Sequence, residues 1–143
     1  MKAVTVILTM ALALAAGMAG AETIEVQMLN KGAAGAMVFE PAFIIAQPGD
    51  TIIFKATDAG HNVEGIKGML PQGIADFKSP MGEDYTMTVD APGYYGIKCT
   101  PHYAMGMVGL IKVGDAANFD TVKAVVQKGK AKKRFEEIFA EVK

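Results

Sequence analysis

Ile24, Val26 and Met28 alternate with Glu25 and Gln27, a period of two that predicts a strand with one face in a core. A longer apolar run covers residues 37–46, where Pro41 argues for a bend or an edge position. The turn Pro48-Gly49-Asp50 precedes a strand predicted over 51–56. Tyr85, Met87 and Val89 alternate with Thr86, Thr88 and Asp90, and after the turn Ala91-Pro92-Gly93 come apolar stretches at 94–99 and 107–113. Residues 62–79 are weakly patterned and read as loop with room for one short strand. Short strands separated by turn signals predict an antiparallel β-sandwich.

The period changes after Val113. Phe119, Val122, Val125 and Val126 fall at helical spacing, with Gly129 as a stop signal, and Phe135, Ile138, Phe139 and Val142 repeat at i, i+3, i+4, i+7. Two amphipathic helices packed back onto the sandwich are expected. The domain plan is therefore a sandwich over 22–114 and a helical extension over 115–143.

The N-terminus reads differently. Lys2, an apolar stretch over 4–16 and the small-residue ending Ala19-Gly20-Ala21 form a secretory signal peptide over 1–21, with cleavage expected after Ala21. The apolar stretch falls short of the ~20 residues a membrane span needs, so no membrane insertion is expected. Removal of Lys2 with the leader leaves 13 basic against 15 acidic residues. The cluster Lys128, Lys130, Lys132, Lys133 and Arg134 is offset by Glu136, Glu137 and Glu141 and reads as a solvated helix face. Nucleic-acid binding is not expected, and a monomer is.

An exported chain with an odd cysteine raises a chemical question. Cys99 is the only cysteine and lacks an intramolecular partner, and a bare thiol in an oxidising compartment is open to oxidation. Cys99 opens the run Cys99-Thr100-Pro101-His102-Tyr103-Ala104-Met105-Gly106-Met107, and the second of two histidines, His61, lies upstream in Asp58-Ala59-Gly60-His61-Asn62. Taken singly, each of these residues has an ordinary structural explanation. Together, a thiolate, two imidazoles and a thioether are the donor set of a type 1 copper site. Alternation puts Tyr95, Ile97 and Cys99 on one strand face and Met107, Gly109, Ile111 and Val113 on another, so Cys99 and Met107 flank one loop with His102 at its crest. Pro101 fixes a torsion and removes an amide donor near the sulfur. Met105 competes with Met107 for the axial position, but it lies within the loop rather than at the strand, which favours Met107.

Other chemistries fit less well. A thiol hydrolase using Cys99 and His102 lacks an orienting carboxylate or amide beyond Asn62, and a copper oxidase wants more metal centres than two histidines can serve. A copper chaperone should have a more open site, and thioether is a poor zinc ligand. The favoured class is a one-electron carrier, not an enzyme.

The copper run, preceded by Gly93-Tyr94-Tyr95-Gly96-Ile97-Lys98, resembles the copper loop of the pseudoazurins, a family of bacterial cupredoxins. The segment His61-Asn62-Val63-Glu64-Gly65-Ile66-Lys67-Gly68-Met69-Leu70-Pro71 is similar to that family's first-histidine region. The likeness extends over the whole mature chain, including the two C-terminal helices. It implies a mainly β, cupredoxin-like, eight-stranded Greek-key sandwich with copper bound by His61, Cys99, His102 and Met107. It also implies a periplasmic carrier serving copper nitrite reductase, or passing electrons between c-type cytochromes and other reductases in denitrification. By the same resemblance Asn62 ties the two ligand loops together near the Cys99 sulfur, and Met37 lies near the exposed imidazole. Met37, Pro101 and Met105 would form an apolar rim around His102. Alternation turns Lys98 outward beside that rim; Lys31 and Lys78, expected in loops at the copper end, and Lys67 would complete a basic docking ring. Lys133, on the C-terminal helix, is expected to lie far from it.

Overall fold

The computed structural model describes residues 20–143. Eight strands run β1 (Thr23–Gly32), β2 (Gly35–Glu40), β3 (Phe43–Ala46), β4 (Asp50–Lys55), β5 (Glu64–Gly65), β6 (Tyr85–Val89), β7 (Gly93–Lys98) and β8 (Val108–Val113). A 3₁₀ helix over Thr100–Met105 separates β7 from β8, and α1 (Phe119–Ala124) and α2 (Gly129–Phe139) follow. The strands form two four-stranded sheets, ordered β2-β1-β4-β6 and β3-β8-β7-β5. The leader assigned from the sequence falls almost wholly outside the described residues.

The sandwich is mixed rather than purely antiparallel. β1 pairs with β4 in parallel, and so does β3 with β8. Alternation defines which face a strand buries and says nothing of its neighbour. The run over 37–46 divides between the sheets: β2 pairs with β1, the chain bends at Pro41, and β3 joins β8 in the other layer.

Between the sheets lies a core that includes Val26, Met28, Phe39, Ile52, Phe54, Tyr95, Ile97 and Ile111, and Cys99 and Met107 belong to it. A second core on the outer face of β7 and β8 holds Tyr94, Val108 and Leu110 against Met69, Val122, Ala131, Phe135 and Ile138. β7 is thus buried on both faces and loses polar alternation, as expected for a strand covered on each side. The layers approach closely at Gly96, where a Cβ would sit 2.7 Å from the Cβ of Met69. Asn118 pins the helical layer to β7, accepting from the Tyr94 N–H at 2.7 Å and donating to its carbonyl at 3.0 Å.

The C-terminal boundaries differ from the sequence reading. α1 ends at Ala124 because Val125 takes an extended backbone (ψ 121°), which leaves Val126 83 % exposed. Gly129 is not a stop; with φ 56° it opens α2. A glycine's access to positive φ serves either end of a helix junction, so the residue alone does not say which.

Candidate metal centre

The loops at one end of the sandwich assemble the site. Cys99 sits just past β7, so alternation delivers its side chain to the inter-sheet core, where it is fully buried. The chain then turns tightly, with His102 N–H donating to the Cys99 carbonyl at 3.2 Å and Met107 N–H to the His102 carbonyl at 3.1 Å. Pro101 occupies the first turn of the 3₁₀ helix, where a missing N–H costs nothing. Gly106 ends it at φ 89°, a left-handed conformation suited to glycine, and Met107 re-enters the core, its carbonyl accepting from the Cys99 N–H at 2.9 Å. That last bond closes the loop. His61, equally buried, arrives from the connection between β4 and β5.

Three donor groups converge. The Nδ1 atoms of His61 and His102 lie 3.1 Å apart, and the Cys99 Sγ is 3.7 Å from the first and 3.5 Å from the second. With metal–nitrogen bonds of ~2.0 Å and a metal–sulfur bond of ~2.3 Å, a trigonal plane places its donors about 3.5–3.8 Å apart. The observed triangle matches that spacing apart from a slightly short imidazole pair. Met107 is wholly buried in the same core and tied by its backbone to Cys99. Two nitrogens, a thiol and a nearby thioether fit one copper ion, and among the described residues His61, Cys99 and His102 are the cluster able to hold a metal.

Electrostatics favour the metal over protons at His61. Burial, followed by the neighbouring His102, pushes the His61 imidazole below its ordinary range, so it is neutral and able to ligate. Its Nε2 lies 2.8 Å from the Asn30 Oδ1. An amide oxygen only accepts, so the proton resides on Nε2 and the Nδ1 lone pair faces the cluster. Burial pushes the Cys99 thiol up, while backbone N–H groups of Asn62 and His102 pull it down. The thiolate is therefore expensive without a cation and well prepared for one.

Asn62 has the linking geometry. Its Nδ2 donates to the Thr100 Oγ1 at 2.8 Å, its Oδ1 accepts from the Thr100 N–H at 2.8 Å, and the Thr100 Oγ1 donates to the Glu64 Oε2 at 2.7 Å. The side chain spans the two ligand loops, while the backbone N–H serves the sulfur. Met37 has φ 52° and packs, half-buried, on the core containing Cys99 and Met107.

Pro101 and Met105 are exposed next to the half-buried His102. Of the lysines, Lys67 and Lys78 are exposed in one cleft with Lys98, but Glu64 and Asp76 line it too. The Lys98 Nζ lies 4.0 Å from the Glu64 Oε2 and 5.5 Å from the centre of the Tyr103 ring. Lys31 is exposed within β1, opposite Ala36, rather than in a loop, because β1 runs on into a tight hairpin. Lys133 is not remote: with Lys130, Arg134 and Glu137 it lines a groove shared with Met105, Ala34 and Ala36. The reason is Gly106, whose bare Cα lets the backbone of Lys130 pack against the copper loop. Asn30 escaped the sequence reading, and the α2 cations were read as a solvated face remote from the site, since both reach it only through folding.

Residues 26–114 match the model of the family described as copper binding proteins, plastocyanin/azurin family, and the chain belongs to that family. Its members transfer electrons and are not enzymes, and the same holds for this chain. Within the family it is similar to the pseudoazurins. It is 57 % identical over 123 residues to pseudoazurin of Paracoccus pantotrophus, covering 85 % of each chain. It is 45 % identical over 136 residues to that of Methylorubrum extorquens, covering 94 % of this chain and 92 % of the relative. The refined crystal structure of pseudoazurin from Methylobacterium extorquens AM1 superposes with a TM-score of 0.82 at 45 % identity, over 85 % of this chain and 99 % of that one. Native pseudoazurin from Hyphomicrobium denitrificans gives 0.80 at 39 % identity, over 85 % and 98 %. No helix among the described residues is long and apolar enough to cross a membrane.

Proposed function

We propose that the chain is a periplasmic electron carrier with a type 1 copper site, ligated by His61, Cys99, His102 and Met107, that delivers electrons to copper nitrite reductase or exchanges them with c-type cytochromes. The convergence of the two Nδ1 atoms and the Cys99 Sγ within 3.7 Å carries the reading. When bound, copper supplies a one-electron Cu(I)/Cu(II) couple.

The protein's own residues do the rest. His61 is fixed by Asn30 and its ring is sealed from solvent. Cys99 gives up its proton on metal binding and keeps two backbone N–H groups, a hydrogen-bonded environment that tunes potential. Asn62 ties one ligand loop to the other, so that the donors stay in place in both oxidation states. His102 alone of the clustered donors is only half-buried, which makes its ring the way in and out for the electron. Around it, Pro101 and Met105, with Met37 behind them, provide an apolar contact suited to a small, quickly reversible interface.

On this reading Lys31, Lys67, Lys78 and Lys98 form a basic docking ring for this contact, joined by Lys130, Lys133 and Arg134 of α2 beside Met105. They steer an acidic partner although the chain as a whole is slightly acidic. Export follows cleavage after Ala21, and the carrier works as a monomer. Absorption and EPR spectra of the copper-loaded protein, followed by stopped-flow mixing with a copper nitrite reductase, test the reading. An intense thiolate-to-copper band and rapid oxidation of the reduced protein are expected. A colourless copper complex would remove the type 1 assignment, and a reduced protein inert to the reductase would remove the partner.

A further inference from the structure

Far from the copper loops, Asp50 presents a different problem. It opens β4 and is only 4 % exposed, yet among the described residues no Lys, Arg or His side chain pairs with it. Its Oδ2 accepts from the Gln47 N–H at 2.8 Å, and its Oδ1 accepts from the Glu22 N–H at 2.8 Å. These two donors hold the carboxyl below the usual carboxylate range, so it is charged at neutral pH. A buried charge met only by neutral donors is an incomplete arrangement.

The missing cation lies in the sequence. Glu22 directly follows the small-residue pattern Ala19-Gly20-Ala21. Glu22 is also where the chain becomes anchored: its carbonyl accepts from the Thr51 N–H at 2.9 Å, whereas Gly20 and Ala21 are exposed.

We propose that Asp50 is a receptor for the new N-terminus: cleavage after Ala21 turns the Glu22 amide into an ammonium that forms an ion pair with the Asp50 carboxylate. Water adds across the Ala21–Glu22 peptide bond, its oxygen going to the Ala21 carboxylate and its protons to the Glu22 nitrogen, in a reaction performed by a signal peptidase-class protease. The nitrogen is already in place, 2.8 Å from the Asp50 Oδ1, so no rearrangement is needed. A hydrogen bond from a neutral amide to a carboxylate becomes one between two opposite charges. The processed domain is stabilised relative to its precursor. This inference rests on the cleavage reading given above.

The test compares copper-loaded chains made to begin at Glu22 with chains that retain Gly20 and Ala21, each with and without Asp50→Asn. Asp50→Asn should reduce the folding equilibrium constant about tenfold more in the chain beginning at Glu22, a coupling of ~1.4 kcal/mol. Equal losses in the two backgrounds would overturn the ion pair. Should Asp50→Asn fail to fold, acylation of the Glu22 amine in the unsubstituted folded chain decides. A rate about tenfold below that of the urea-unfolded chain supports the pair, and an equal rate refutes it. Intact-mass analysis of the exported protein tests the cleavage position separately, because the chains compared here have engineered starts.

Discussion

Replacing Asn62 by Ala removes the strap between the ligand loops, and the structure sets the size of the effect. Two hydrogen bonds of 2.8 Å disappear, one from the Asn62 Nδ2 and one to its Oδ1. Each contributes about 1 kcal/mol net, and a Thr100 N–H left unsatisfied costs a further ~1–3 kcal/mol. A loss of ~3–5 kcal/mol follows, which lowers the urea midpoint by roughly 1.5–2.5 M for a domain of this size. Thr100→Val separates the parts: it removes the hydroxyl bonds to Asn62 and Glu64 but keeps the backbone N–H. Because the two residues touch, the double substitution should lose less than the sum of the singles, with a coupling near 1 kcal/mol. The strap also orients the loops, so copper affinity should fall about 10–100-fold, as for other residues that position metal ligands. Urea titration of the four proteins, metal-free and copper-loaded, measures both quantities. An Asn62→Ala loss below ~0.5 kcal/mol, or strict additivity with Thr100→Val, would show that the loops are held by something else.

Cys99→Ala should abolish the visible charge-transfer band, while Met107→Gln should keep a coloured site and move its potential; a shift with Met105→Gln but not Met107→Gln would reverse the axial assignment. Gly96→Ala should cost ~1–3 kcal/mol by forcing a Cβ into Met69, read as a lower thermal midpoint, and an unchanged midpoint would show that Met69 gives way freely. The Asp50 carboxyl is held below its usual range, so its contribution to stability is full above pH ~3.8 and is lost as pH falls through the lower, folded value. Acid titration of Asp50→Asn should accordingly show a flatter profile below that point. Lys133→Ala should slow the reductase reaction at low salt as Lys98→Ala does, whereas Lys112→Ala, at the end of β8 remote from Met107, should not; equal rates for all three would leave steering without a location.

The copper ligands were legible in the sequence because three of them share one loop. Strand alternation aims Cys99 and Met107 inward, the spacing puts His102 between them, and an unpaired cysteine in an exported chain needs a chemical reason to exist. A β-sandwich followed by two helices was legible for the same local reasons, as was the bend at Pro41, whereas its eight-stranded cupredoxin form came from the family resemblance. What depends on long-range docking was not. Asn30 meets His61 across 31 residues, and no local pattern announces an amide that selects an imidazole tautomer. Parallel pairing of β1 with β4 leaves the same alternation as antiparallel pairing would. Gly129 carries one backbone property that suits a helix start as well as a stop.

Lys133 shows how one packing decision changes both rigidity and charge at the site. As an isolated amphipathic segment, α2 turns its cations to solvent and its apolar stripe to the sandwich, and nothing says over which end of the sandwich it lies. The small residues decide. Gly96 admits Met69 against β7, and Gly106 admits the Lys130 backbone against the copper loop, so the helical layer closes over the outer face of β7 and β8 right up to the site. Covering that face removes solvent from both sides of the strands that carry Cys99 and Met107, and dense packing on both sides resists displacement of the ligands when the oxidation state changes. The same placement brings Lys130, Lys133 and Arg134 next to Met105. A bulkier residue at Gly106 would therefore do two things at once: loosen the loop that holds His102, and move cations away from the surface through which the electron leaves.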